Sequence, residues 1–273
     1  MSPLLLLALP GLWLYNAHNC YPENGQYGDR LERARRAGLR AVEIDVTWSE
    51  QRRRTVISHE KAPKGGEPTL EEYFWKPVEP ELRRLPRGRP GWLLLIDFKI
   101  DHPAVIEEVY RDLERRRRLL TRFGDQVDYG PLTVMLTGDN AAIAAFEKRN
   151  RGSGPYLAMG NREPAERQYQ DSVAAYFDAD ATPFYRVFNF EWVHLEPDGE
   201  ARRSGPLPET ARARLRALAE LAHQKGYWLR TWTLNEATFG GRHGLLERWR
   251  AAREAGVEMI ATDEYELAGA AQE

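Results

Sequence analysis

Cysteine, long apolar runs and net charge are all scarce in this sequence, and each shortage excludes a class of protein. The single cysteine, Cys20, rules out an intramolecular disulfide and a cysteine-rich zinc site. No apolar run approaches the roughly 20 residues that cross a bilayer. The formal charge of -2 over 273 residues argues against electrostatic binding of nucleic acid. With 42% hydrophobic residues, the chain can still bury a globular core.

The N-terminal residues form the one stretch that is similar to a targeting signal. Residues 4–9 are apolar, like the hydrophobic part of a signal peptide, although no basic residue precedes them. Two alternatives stay open: residues 1–10 are a leader or truncated signal segment, or they are an uncleaved N-terminal segment. A leader would make the protein secreted or part of the cell envelope, and otherwise we expect a cytoplasmic protein.

Several familiar catalytic motifs are also missing. The sequence has no G-x-S-x-G elbow, no Walker loop and no H-E-x-x-H. An amidohydrolase-type barrel would show His-x-His on its first strand, where this chain has Asn16-Ala17-His18-Asn19. Any chemistry must therefore come from other side chains.

Apolar β-type runs recur along the chain with helix-period segments between several of them. The predicted strands cover residues 12–18, 41–48, 92–99, 132–136, 156–160, 184–190, 228–234 and 259–263. Gly38, Gly226 and Gly256 follow three predicted helices at the position that favours glycine. Eight such strands predict an α/β fold, a single (β/α)8 TIM-type barrel over residues 11–273. A doubly wound open sheet is the alternative.

Charged residues and histidines lie at the predicted strand ends. Glu43 and Asp45 are two residues apart on one strand, which puts both carboxylates on one face, and Asp97 and Lys99 repeat this spacing. Further polar or aromatic residues at strand ends are His18, Asn19, His59, Arg230, Trp232, Asn235 and Asp263. Because barrel active sites form at the C-terminal ends of the strands, we expect a site there.

The residue types suit phosphoryl chemistry. Three carboxylates (Glu43, Asp45 and Asp97) make a hard-oxygen site for one divalent cation, Mg²⁺ or Ca²⁺. Lys99 can contact a phosphate oxygen as a point charge, and two histidines can supply a base and an acid near neutral pH. Each residue alone also has a purely structural interpretation, as an ion pair, a core histidine or core packing. The hypothesis depends on their shared location.

These motifs, taken in order, resemble a known superfamily. The runs AHN, EIDV, VISHE, PTLEEYF, LLLIDFK, LRTWTLN and GVEMIATDE are similar to the phosphatidylinositol phospholipase C-like phosphodiesterases, which include glycerophosphodiester phosphodiesterases and sphingomyelinase D toxins. HNCYP, LEEYFWKPVEPEL and R-x-W most resemble its altered-inheritance-of-mitochondria branch. The resemblance implies catalytic histidines at 18 and 59, metal ligands at 43, 45 and 97, and substrate contacts from Asn19, Lys99, Arg230 and Trp232. It also implies attack on phosphorus by a neighbouring substrate hydroxyl, through a cyclic phosphodiester that is released or hydrolysed.

The sequence departs from the family patterns at three places. Asn19 stands where glycerophosphodiesterases usually have arginine, and residues 59–69 are too few for their insertion domain. Both departures argue against glycerophosphodiester as the substrate. Cys20 stands where the favoured branch commonly has aspartate, which affects the expected geometry of this loop and not the metal ligands. The favoured branch has no settled substrate.

The expected function is that of a metal-dependent phosphoric diester hydrolase, or a lyase forming a cyclic phosphate, on a small phosphodiester or phospholipid-derived substrate. One alternative is a catalytically silent barrel that binds a phosphate ligand, and another is a metal-dependent hydrolase of carboxylic or amide substrates. No nucleic-acid partner and no transmembrane segment are expected. Peripheral lipid contact through Tyr73, Phe74 and Trp75 is weighed against core packing, which is favoured.

Overall fold

A computed structural model describes residues 14–22, 30–89, 91–152, 154–164, 170–196, 205–237, 239 and 241–272. The predicted leader at residues 1–10 and the start of the first predicted strand lie outside these ranges. The prediction that residues 11–273 form a single domain stays a prediction. Among the described residues, no helix is long and apolar enough to cross a membrane.

Eleven strands are described, and eight of them form the barrel. In chain order the strands are β1 (Tyr15–Ala17), β2 (Ala41–Ser49), β3 (Arg54–Ile57), β4 (Trp92–Phe98), β5 (Arg122–Phe123), β6 (Val127–Asp128), β7 (Leu132–Gly138), β8 (Met159–Arg162), β9 (Tyr185–Glu191), β10 (Trp228–Trp232) and β11 (Met259–Thr262). The sheet order is β1-β11-β10-β9-β8-β7-β4-β2-β3, and β1 also pairs with β2. The eight parallel strands therefore close into the predicted TIM-type barrel.

Helices connect most of these strands. They are α1 (Arg30–Arg36), α2 (Lys76–Leu82), α3 (Pro103–Arg115), α4 (Asn140–Asn150), α5 (Glu209–Gln224), α6 (Arg242–Glu254) and α7 (Tyr265–Gln272), with a π-helical turn at Glu71–Trp75 before α2. Between β8 and β9 the described residues contain a short 3₁₀ turn, Val173–Tyr176, and no α-helix.

Residues 17–160 make one compact unit, here called the first unit. Strands β2, β4 and β7 lie side by side in parallel at its centre, and their apolar runs are fully buried because both faces of a barrel strand are covered. Helix α3 buries Val105, Val109 and Leu113 at helical spacing and packs against β2 and β3. Strand β3 returns antiparallel to β2 and forms a hairpin with it.

Residues 1–16 with 161–273 make the second compact unit. Strand β10 pairs in parallel with β9 and β11, and α5 and α6 bring buried apolar faces. A fully buried guanidinium on α6, Arg248, forms a 2.9 Å ion pair with Glu196, which also accepts from the Trp192 indole. Both partners are satisfied, so the charge pair fixes the chain after β9 to α6.

The region 58–91 contains one helical segment, because the π-helical turn runs directly into α2, which ends at Leu82. Within this segment Phe74 and Trp75 are fully buried. The Trp75 indole donates to Asp112 on α3 at 2.8 Å, and Phe74 packs edge-on to Trp92. The favoured interpretation of core packing is confirmed for these two aromatic residues, while Tyr73 is half-buried.

Candidate active site

The strand register of the first unit brings the predicted acids together. Strands β2 and β4 pair so that Asp45 is directly opposite Asp97, and Glu43 is one inward-facing position earlier on β2. All three carboxyl side chains are buried or nearly so, with residue exposures of 4% for Glu43, 1% for Asp45 and 9% for Asp97. One oxygen from each lies within 4.8 Å of the others. The sequence thus builds a dense anionic cluster from two adjacent strands.

Lys99 is the cation beside this cluster. Its Nζ lies 3.0 Å from Asp45 Oδ2 and 2.9 Å from Asp97 Oδ1. Burial lowers the pKa of Lys99, but the charges of Asp97 and Asp45 outweigh burial and leave the pKa above its ordinary value. Lys99 is therefore a permanent positive charge at this site.

A single lysine does not neutralise three acids. Burial, together with the charges of Asp45 and Glu43, raises the pKa of Asp97 to about 7 against the opposing pull of Lys99. Buried carboxylates this close together stay ionised only if further positive charge is supplied. The cluster is short of cationic charge.

His59 follows the hairpin of β2 and β3 and contacts the same cluster. Ser58 N donates to the carbonyl of Asp45 at 3.1 Å, and the His59 Nδ1 is 2.8 Å from Asp45 Oδ2. The hydrogen bond to Asp45 raises the pKa of His59, partly offset by burial and by Lys99. With Nδ1 donating to the carboxylate, Nε2 is the nitrogen left to exchange a proton.

His18 lies just beyond β1, and its two ring nitrogens have different neighbours. The Asn19 amide lies 2.9 Å from His18 Nδ1, and His18 Nε2 is 3.8 Å from Glu43 Oε1. The Tyr21 hydroxyl donates to Asn19 Oδ1 at 3.2 Å, which orients the amide nitrogen toward the imidazole. In neutral His18 the proton is then on Nε2, the nitrogen that faces the carboxylate.

The acidic cluster fits a divalent cation. Asp45 Oδ1 is buried and accepts no hydrogen bond from the described residues, while Oδ2 is used by His59 and Lys99. An ionised oxygen in this position is costly unless it binds a cation. Carboxylate oxygens are the ligands that Mg²⁺ and Ca²⁺ prefer.

Arg230 and Trp232, also predicted as site residues, belong to the second unit. Arg230 is 2% exposed, and its guanidinium donates to Asn16 Oδ1 at 3.2 Å and to Asn189 Oδ1 at 2.9 Å. Asn189 in turn donates to Glu163 at 2.6 Å. Trp232 is half-buried at the end of β10. Beyond that strand, Asn235 donates to Asp263 at 3.3 Å, so these two strand-end residues meet.

Two residues of the first unit were missed from the sequence. Tyr21 contacts both histidine loops, by its hydroxyl to Asn19 and by stacking of its ring on His59. Gly138 ends β7 with φ of +88°, and a Cβ there would lie 2.5 Å from Asp97 Oδ1. A tyrosine close to a histidine motif does not by itself predict a functional role. The glycine could have been suspected from its place at a strand end.

Comparison with solved structures bears on the fold. No protein-family model matches the sequence, and no curated protein sequence matches it. A Ca²⁺-dependent phosphatidylinositol-specific phospholipase C from Streptomyces antibioticus is similar with a TM-score of 0.59 and 15% identity, over 97% of this chain and 98% of that one. A glycerophosphodiester phosphodiesterase from Agrobacterium tumefaciens is similar with a TM-score of 0.52 and 13% identity, over 94% and 98%. At such identities the likeness establishes the shared barrel fold.

Proposed function

We propose that this protein is a metal-dependent phosphodiesterase that acts on a small phosphodiester or phospholipid-derived substrate. One observation carries the proposal: three buried carboxylates with ligand oxygens within 4.8 Å, contacted by two histidines from different segments. This arrangement combines a cation site with two groups that exchange protons near neutral pH. The two solved structures named above are a phosphatidylinositol-specific phospholipase C and a glycerophosphodiester phosphodiesterase, which agrees with this chemistry.

Glu43, Asp45 and Asp97 would hold the divalent cation, Mg²⁺ or Ca²⁺. When bound, the cation supplies positive charge that polarises a phosphoryl oxygen. Lys99 holds its charge beside the carboxylates and provides a second, fixed positive charge for the phosphate. Together these charges favour a substrate with a negatively charged phosphodiester.

The two histidines divide the proton transfers. One accepts the proton of the attacking hydroxyl, and the other donates a proton to the leaving oxygen. Asp45 orients the His59 ring, and Asn19 orients His18, so each Nε2 is directed by a contact at Nδ1. The attacking hydroxyl comes from the substrate itself, giving a cyclic phosphodiester, or from water.

Arg230 and Trp232 are proposed as substrate contacts of the second unit, Arg230 by its charge and Trp232 by its half-buried aromatic ring. Within the superfamily we favour the altered-inheritance-of-mitochondria branch, on the motifs HNCYP and R-x-W. That assignment leaves the head group open, so the substrate is defined here by its phosphodiester and small size.

The test is hydrolysis of bis(p-nitrophenyl) phosphate and of a lysophospholipid panel by the full chain. Activity should disappear with EDTA, return with Mg²⁺ or Ca²⁺, and be reduced in His18→Ala. His243→Ala is the matched control, since His243 is an exposed histidine on α6. Folded protein that binds a cation yet cleaves no member of the panel would overturn the proposal in favour of a phosphate-binding barrel. If activity after EDTA treatment returns only with Zn²⁺ and is directed at carboxylic esters, the result would favour a metal-dependent hydrolase of carboxylic substrates.

A further inference from the structure

Tyr21 connects the two histidine segments of the first unit. It is 5% exposed and lies three residues beyond His18. Its hydroxyl donates to Asn19, and its ring stacks on His59, with 5.6 Å between ring centroids and 13° between ring planes. No motif assigned this residue a role. One buried side chain therefore contacts His59 with its ring and, with its hydroxyl, the asparagine that follows His18.

The stacking contact supplies a restraint that His59 otherwise lacks. The His59 side chain is 50% exposed, and its described polar contact is the hydrogen bond from Nδ1 to Asp45. One hydrogen bond fixes the position of one ring atom but leaves the ring free to tilt about it. A near-parallel aromatic neighbour limits that tilt, at offset distances typical of aromatic pairs. Asp45 and Tyr21 together fix the ring plane.

The hydroxyl contact acts on the other histidine through Asn19. An asparagine amide can present either its oxygen or its nitrogen to an imidazole, and the choice follows from its other partners. Because the Tyr21 hydroxyl donates to Oδ1, Nδ2 is the atom presented to His18 Nδ1. The phenol thereby selects the tautomer of His18 with its proton on Nε2.

Tyr21 is itself held by a main-chain hydrogen bond and by Arg30. Its main-chain N–H donates to the carbonyl of Asn19 at 2.9 Å, in a turn where Asn19 has φ of +51°. The Arg30 guanidinium donates to the same carbonyl at 2.6 Å and lies 6.0 Å from the Tyr21 ring centroid. These contacts make the side chain rigid enough to orient others.

We propose that Tyr21 is a positioning residue that orients both histidines at once, through its ring for His59 and through Asn19 for His18. The inference rests on the proposed function, because it gives these histidines their catalytic role. The proposal predicts that the ring and the hydroxyl of Tyr21 contribute separately to turnover. Plain core packing would instead make the hydroxyl dispensable.

The experiment uses two variants of the full chain with bis(p-nitrophenyl) phosphate as substrate. Tyr21→Phe keeps the ring and removes the hydroxyl, and we expect kcat to fall about 5-fold with little change in KM. Tyr21→Leu removes both contacts, and we expect a fall of about 50-fold, within the range for small misplacement of catalytic groups. Tyr110→Phe is the matched control: Tyr110 is 4% exposed and packs edge-on against Phe146 in the same unit. It should leave kcat unchanged.

A second readout needs no turnover. Nitrogen-15 NMR of the histidine rings at fixed alkaline pH should show one tautomer of His18 in the native chain and a mixture in Tyr21→Phe, with His59 unchanged in that variant. A native kcat and a native His18 tautomer in Tyr21→Phe would overturn the proposal. Absence of metal-dependent turnover in the native chain would overturn the proposed function alone, because the ring nitrogens still report whether Tyr21 orients them.

Discussion

Asp45 and Asp97 face each other across paired parallel strands, with the amine of Lys99 within 3.0 Å of both carboxylates. Register alone produces this proximity: residues opposite each other on neighbouring strands of a sheet lie about 5 Å apart. Two acids that would be unremarkable on separate strands become a strongly interacting pair when the strands pair in this register. The raised pKa of Asp97 is the electrostatic result.

Asp97→Asn should weaken the binding of Mg²⁺ or Ca²⁺ by about tenfold or more, because a neutral amide replaces a charged ligand. The same change should raise the melting temperature of the metal-free protein at pH 8, since repulsion from Asp45 is removed. Isothermal titration calorimetry and thermal denaturation measure the two effects. Asp101→Asn, an exposed aspartate nearby, should change neither. An unaltered metal titration in Asp97→Asn would dismiss the three-carboxylate site.

His18→Ala and His59→Ala should each reduce turnover by about 10²-fold or more, the usual size of lost acid–base catalysis. The leaving group then separates the roles. A p-nitrophenolate leaves without protonation, whereas an alkoxide needs the acid, so the variant that lacks the acid should lose less on bis(p-nitrophenyl) phosphate than on an alkyl phosphodiester. Steady-state kinetics on both substrates measures this. Equal losses on both substrates in both variants would contradict a division into acid and base.

Gly138→Ala should destabilise the protein and weaken metal binding together. A Cβ at this position would crowd Asp97 Oδ1 at 2.5 Å, and φ of +88° strains any other residue. We expect a loss of about 2–4 kcal/mol in the free energy of unfolding. Gly38→Ala is the control, because Gly38 has φ of +79° but a Cβ there would meet no described atom within 4 Å. It should cost about 1 kcal/mol and leave the metal affinity intact.

His223 provides a test of pH dependence away from the site. Its Nε2 lies 2.9 Å from Glu258, and this hydrogen bond raises the pKa of His223 despite partial burial. A histidine pKa that is higher in the folded state stabilises the fold below the unfolded value of about 6.5, and the effect is lost as pH rises through the folded value. The free energy of unfolding of His223→Gln, measured by urea denaturation, should therefore lie below that of the native chain at pH 5.5–6, by up to about 1 kcal/mol. The two values should converge above pH 8. His243→Gln should follow the native curve throughout.

Trp232→Ala should raise KM for the substrate more than it changes metal affinity. The reason is that Trp232 is proposed to contact the substrate, whereas the carboxylates that would bind the cation lie on β2 and β4. Trp232→Phe, which keeps an aromatic face, should recover much of the loss. Equal effects on substrate and metal would indicate that the residue supports the structure instead.

Sequence patterns were most informative where a physical rule acts over a short range. Continuous apolar runs predicted the eight barrel strands because both faces of such strands are buried, and the two-residue spacing of Glu43 and Asp45 placed both acids on one face. The register of Asp45 with Asp97 could not be read from either strand alone. It depends on how the intervening 51 residues, 46–96, cross over.

Other features were hidden because they depend on contacts distant in sequence. Residues 76–82 contain two prolines, which disguised α2, yet Pro77 stands in the first helical turn, where its missing N–H costs nothing. The role of Tyr21 depends on His59, which is 38 positions away. The buried pair Arg248 and Glu196 joins segments more than 50 residues apart. Amino-acid composition does not predict which residues distant in sequence contact each other.

All six residues proposed to hold the cation, contact the phosphate or transfer protons lie between positions 18 and 99, within the first unit. The proposed contacts at 230 and 232 come from the other unit. Under the proposed function, mutations late in the gene would act on the proposed substrate contacts and leave the proposed reactive groups unchanged. A lineage built on this chain could therefore vary those contacts by mutation or recombination in the C-terminal part, with the proposed reactive groups kept in the N-terminal part.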